Sequence, residues 1–155
     1  MTGVSLKLTS RKTTQRQTGL GDNQPVPGMD SKEQPLILVA DDNADNREMM
    51  RVLLGLKGYE VIVAENGREA VEVALAASPD LILLDLDLPL MDGLSVARDL
   101  HGRQGFLKVP IVVVSGHDPH HYRQAALDAG CADFLLKPIS FERLDEILQS
   151  NVPIA

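Results

Sequence analysis

The chain has 155 residues, a mass of 16.8 kDa, 44% hydrophobic residues and a formal net charge of −7, which suits one domain with a full core rather than a disordered polymer. Residues 1–34 carry five Lys/Arg against three Asp/Glu and the remainder ten against nineteen, so the acidic body argues against direct nucleic-acid binding, which needs clustered Lys and Arg. The single cysteine, Cys131, excludes an intramolecular disulfide, and no apolar stretch approaches the roughly 20 residues of a membrane span.

Residues 1–34 are polar, without periodicity, and read as a disordered tail. The opening "MTGVSLKLTSRKTTQRQ" lacks the apolar core of a secretory signal, and a cytoplasmic location is the reading preferred over organelle targeting. "GLGDNQPVPG" is no nucleotide fingerprint, because no strand precedes it and no helix follows.

From Pro35 the punctuation is regular. Val/Ile/Leu runs at 36–40, 60–64, 81–84, 111–114 and 134–136 predict strands. Each is followed by helical spacing. The first helix, about 44–57, carries Met49, Met50, Leu53, Leu54 and Leu56, with Gly58 as its stop. The second opens at Asn66 with Glu69 three residues on, a capping-box pattern. The third follows "MDG" and runs to about His101, the fourth spans about Pro119–Ala129, and the fifth starts after Ser140. Five such units with near-continuous apolar strands predict a doubly wound (βα)5 fold, a parallel five-stranded sheet covered on both faces, whose flavodoxin-like form, the one expected here, has the order 2-1-3-4-5.

In that order, the carboxyl ends of strands one and three are neighbours, and there fall Asp41, Asp42 and Asp85. Like charges about 4 Å apart repel by roughly 4 kcal/mol per pair at an effective dielectric near 20. Such a pocket demands a proton or a cation. Oxygen-only ligands in small number favour Mg²⁺, which keeps waters and takes phosphate oxygens. With the charge reversed by the metal, an aspartate can act as nucleophile and form an acyl-phosphate.

The acid pair in "VADDN", the aspartate of "LLDLDLPLMDG", the hydroxyl of "VVVSG" and the lysine of "DFLLKP" occur in order along this repeat. The segment 35–150 thereby resembles a response-regulator receiver domain of two-component signalling, with 151–155 a short C-terminal end. The resemblance implies that Asp85 is phosphoacceptor and metal ligand, and that Asp42 binds Mg²⁺ directly with Asp41 nearby, through water. It also implies a metal contact from the backbone carbonyl of Asp87, and phosphate contacts from Ser115 and Lys137. Ser115 and Phe134 would form the switch, and Lys137–Pro138 is a candidate cis peptide. The implied donors are a histidine kinase or histidine phosphotransfer protein.

Several of these residues have plainer readings. Asp41 and Asp42 could cap the first helix, Phe134 could be core packing, and the histidines of "GHDPHH" a solvated face rather than a metal site. Asp87 is expected at the pocket mouth, where its charge would disfavour an anionic donor or orient hydrolytic water. A haloacid-dehalogenase-type phosphatase is a rival, since "DLDLP" matches its paired aspartates, but Pro89 stands where Thr or Val belongs. A receiver-like interaction module that is never phosphorylated is a second rival. With only "NVPIA" after the fifth helix, a stand-alone receiver is expected, with a fragment of a hybrid kinase or the N-terminal piece of a longer regulator as the alternatives.

Overall fold

A computed structural model describes residues 34–154. The expected tail, apart from Gln34, lies outside the described residues. Five strands, β1 (Leu36–Ala40), β2 (Glu60–Ala64), β3 (Leu81–Asp85), β4 (Ile111–Ser115) and β5 (Asp133–Leu136), form one parallel sheet in the order β2-β1-β3-β4-β5. Helices α1 (Ala44–Leu56), α2 (Gly67–Ala77), α3 (Gly93–His101), α4 (Pro119–Asp128) and α5 (Phe141–Asn151) alternate with them.

Every residue of β1, β3 and β4 is buried, which is why these runs are apolar without alternation. Successive side chains still point to opposite faces. Leu36, Leu38, Ile82, Leu84, Ile111 and Val113 face one core with α2, α3 and α4. Ile37, Val39, Leu81, Leu83, Val112 and Val114 face a second core with α1 and α5. Both layers are needed: truncating a fully buried leucine such as Leu83 to alanine in such a core costs about 2–5 kcal/mol.

Polar side chains fix where the helices begin. Asn43, Asn66, Asp92, Asp118 and Ser140 each accept a backbone N–H from the first turn of the helix that follows. The cap of α1 is Asn43, so Asp41 and Asp42 are left for another task. At α2, Asn66 Oδ1 accepts from Glu69 N at 2.7 Å, but Glu69 Oε1 accepts from Glu65 N at 2.8 Å rather than from the Asn66 N–H. The capping box is thus displaced by one residue. Gly58 and Gly130 follow α1 and α4 with φ of 102° and 93°, the left-handed conformation that stops a helix and favours glycine.

Candidate functional site

Strand parity builds the site. Asp41 continues the alternation of Ile37 and Val39, Asp85 that of Leu81 and Leu83, and Lys137 that of Leu135, so all three belong to the α1/α5 side. Ser115 and Phe134 continue the opposite alternation, toward α4.

Carboxylate oxygens of Asp41, Asp42 and Asp85 lie within 4.8 Å of one another. Asp41 and Asp85 are buried and Asp42 is exposed. Asp41 Oδ1 accepts from Asn43 N at 2.8 Å, its Oδ2 from Asn46 Nδ2 at 3.3 Å, and its carbonyl from the Arg47 guanidinium at 2.8 Å. Asp85 Oδ1 accepts from Asp87 N at 3.0 Å. The Asp42 carboxylate has no hydrogen bond or ion pair among the described residues.

The cation that the crowded carboxylates call for is present in the protein itself. Lys137 Nζ donates to Asp85 Oδ2 at 3.1 Å and to Asp41 Oδ2 at 3.4 Å. Partial burial works to lower the Lys137 pKa, but the hydrogen bond and charge of Asp85, with those of Asp41, outweigh it and hold the ammonium above its usual value. The Lys137–Pro138 bond is cis, as expected, and Lys137 N donates to Ser115 O at 2.8 Å, tying the lysine to the end of β4.

The loop after β3 is held tightly against the site. Leu86 N donates to Val114 O at 3.2 Å, and Gly93 N to Leu86 O at 3.0 Å. A Cβ on Gly93 would collide with the Asp85 carbonyl, so glycine is required where α3 starts. The Asp87 side chain reaches His117 Nε2 at 2.6 Å, linking the loops after β3 and β4 across the exposed mouth. Ser115 is fully buried, and its Oγ accepts from His117 N at 2.9 Å. Phe134 meets the edge of the Tyr122 ring at a centroid distance of 6.4 Å and carries the Arg123 guanidinium 5.4 Å from its ring centroid. Phe134 therefore packs between two α4 side chains.

Asn46, Tyr122 and the pairing of His117 with Asp87 escape the sequence reading. Asn46 and His117 have local signals, being one turn into α1 and two residues past Ser115. Tyr122 has none, because its partners come from other elements. Among the described residues, the histidines of "GHDPHH" join no group of metal-ligating side chains, and Cys131 is a buried packing residue.

The response regulator receiver domain family matches residues 37–149. The chain belongs to this family. Response regulator MprA of Mycolicibacterium vanbaalenii is 42% identical over 108 residues, 70% of this chain and 46% of that protein. A Mycobacterium tuberculosis protein of the same name shows the same identity and coverage. The chain thus spans just under half the length of the curated relatives it matches. Among solved structures, chemotaxis protein CheY4 of Vibrio cholerae aligns with a TM-score of 0.73 and 28% identity, covering 77% of this chain and 99% of that one. The receiver domain of sensor histidine kinase PA1611 from Pseudomonas aeruginosa PAO1 aligns with a TM-score of 0.71 and 32% identity, over 76% and 97% of the two chains. It has a magnesium ion coordinated in its active-site cleft. As a receiver, this chain is a two-component signalling domain, and the phosphatase reading falls away. Its paired aspartates end the third strand, not the first, and Asp87 is engaged with His117.

Proposed function

We propose that residues 35–150 form a receiver unit in which Asp85 accepts a phosphoryl group from a phosphohistidine of a sensor kinase or phosphotransfer protein. Asp85 Oδ attacks phosphorus, the O–P bond forms as the N–P bond breaks, and the departing imidazole takes up a proton. The carrying observation is that one ammonium, Lys137 Nζ, lies 3.1 Å from Asp85 Oδ2 and 3.4 Å from Asp41 Oδ2. It holds the nucleophile while leaving a positive charge beside the place where phosphoryl oxygens would arrive. Phosphoryl transfer needs little beyond positioning and charge neutralisation.

The donor set fits Mg²⁺. It is hard, all-oxygen and small, with one carboxylate, Asp42, exposed and unengaged among the described residues. Asp42, Asp85 and the Asp87 carbonyl would ligate the ion directly, with Asp41 assisting through water. When bound, the ion supplies charge neutralisation for the incoming phosphoryl group. Ser115 would donate its hydroxyl to one phosphoryl oxygen and Lys137 its ammonium to another.

The approach of the donor is supported by an apolar surface continuous with the pocket. A cavity of about 320 Å³ lined by Met49, Met50, Ile139 and Phe141 shares Asp41 and Lys137 with the acidic site. On the adjoining helix α1, Met49, Val52 and Leu56 are exposed at i, i+3 and i+7, although Met50 and Leu54 of the same helix are buried. We take this second stripe as the landing face for the apolar surface of the phosphodonor protein.

Exposure to a small phosphodonor such as acetyl phosphate with Mg²⁺ tests the reading, using a retarded band on a phosphate-affinity gel. The wild-type chain gives a stoichiometric band, lost in Asp85→Ala and on chelation of magnesium. Labelling of Asp85→Ala at the wild-type rate, or labelling indifferent to chelation, rejects the reading.

A further inference from the structure

Tyr122 of α4 is 5% exposed, and its hydroxyl is buried without a hydrogen-bond partner among the described residues. Buried hydroxyls are rarely left unpaired, because the lost hydration is not returned. Burial pushes the Tyr122 pKa up, assisted by the charge of Asp118. Ser115 is near enough to oppose that rise, yet the two hydroxyls do not meet in hydrogen-bonding geometry. A serine hydroxyl has one donor and two acceptor positions. Among the described residues the Ser115 oxygen accepts only from His117 N, so one acceptor position is open. Phe134 has no hydroxyl to offer, and its ring rests against Tyr122 rather than against a polar group.

We propose that Tyr122 is a positioning residue of the phosphorylation switch, whose hydroxyl donates to Ser115 Oγ once Ser115 turns its own proton toward the phosphoryl group. This rests on the assignment of Asp85 and Ser115 made above. The sequence of donors is then Tyr122 O–H to Ser115 Oγ, and Ser115 O–H to the phosphoryl oxygen. Each proton stays on its own oxygen. The hydroxyl that is unpaired in one arrangement is paired in the other, which gives the phosphoryl group the differential affinity that a population shift requires. The Tyr122 ring moves with its hydroxyl, and its edge contact with Phe134 carries the displacement to the side chain beneath Arg123. In this way a hydroxyl on α4 does what Phe134 cannot.

Beryllofluoride with Mg²⁺, a stable mimic of the phosphoryl group, is the probe. The chain has two tyrosines, so labelling the ring carbon that bears the hydroxyl with ¹³C gives two resonances. Tyr59, whose hydroxyl donates to Val152 O at 2.8 Å, is the internal reference. Beryllofluoride shifts the Tyr122 resonance and leaves that of Tyr59 in place. Tyr122→Phe unfolds without ligand at the wild-type temperature or above, because no bond is lost, but binds beryllofluoride about two- to tenfold more weakly, the range of one neutral hydrogen bond. Unchanged affinity in Tyr122→Phe, a stationary Tyr122 resonance, or equal destabilisation with and without ligand overturns the proposal. A wild-type chain that binds no beryllofluoride overturns the Asp85 reading together with it, which separates the two failures.

Discussion

Asp87 and His117 stand at the pocket mouth, their side chains 2.6 Å apart and both largely exposed. A carboxylate there adds negative charge along the path of an anionic donor. Repulsion of about 1 kcal/mol, the scale of like charges near 4 Å in water, corresponds to about fivefold in rate. Asp87→Asn is therefore expected to raise labelling by acetyl phosphate about fivefold, measured by gel time course at low salt, and an unchanged rate removes the idea. Cys131 gives a prediction of stability instead. Burial pushes its thiol from 9.0 up to about 11, with the Arg98 charge partly opposing. An acid whose pKa is raised on folding keeps its stabilising contribution below the unfolded value and loses it as pH climbs through the folded one. The wild-type chain should lose unfolding free energy between pH 9.0 and about 11 relative to Cys131→Ala, read from denaturant midpoints at each pH. Parallel pH curves for the two chains contradict this.

Helix α1 shows at the scale of an element what a one-dimensional pattern carries and what it omits. The spacing of Met49, Met50, Leu53, Leu54 and Leu56 announces a helix, and the helix is there, with Gly58 ending it. The pattern does not say which apolar residues are covered. Met50 and Leu54 are buried, while Leu56 is 82% exposed, because the sheet can cover only one side of a cylinder. Phe141 misleads in the same way: it begins α5 in phase with the apolar positions but is 55% exposed, lining the same cavity as Met49. Caps were more legible, since they depend on residues three apart. Even so, Glu69 bonds one position earlier than the motif implies. The stripe carries its own prediction. Val52→Glu, at an exposed position, should cut phosphotransfer from a cognate donor protein tenfold or more while leaving labelling by acetyl phosphate unchanged. Equal rates with the protein donor sink the assignment of this face.

Across the whole molecule, the parallel sheet was legible because continuous apolar runs alternate with helices, whereas its order was carried by the resemblance and not by the runs, and the meeting of Asp41, Asp42 and Asp85 follows from β1 lying beside β3. The contacts that sequence could not supply are those between loops and helices far apart in the chain, such as Asp87 with His117 and Tyr122 with Phe134. No local period encodes them. The charge distribution of the whole chain then bears on stability. Residues 35–155 carry ten Lys/Arg against nineteen Asp/Glu, and three of the carboxylates crowd one pocket with Lys137 serving two of them. Among the described residues Asp42 is the member without a partner, so its charge weighs on the folded state, and the proposed Mg²⁺ would relieve it. A ligand bound only by the folded chain stabilises it by about 2.7 kcal/mol at one hundred times its Kd. For a domain of this size that raises Tm by roughly 5–10 °C. Asp42→Asn should have the opposite balance: a Tm without magnesium equal to or above that of the wild type, and little further rise when magnesium is added. Sodium chloride at matched ionic strength controls for general screening. If Asp42→Asn gains as much from magnesium as the wild type does, the ion is held elsewhere, and the account of why strands β1 and β3 end in acid fails with it.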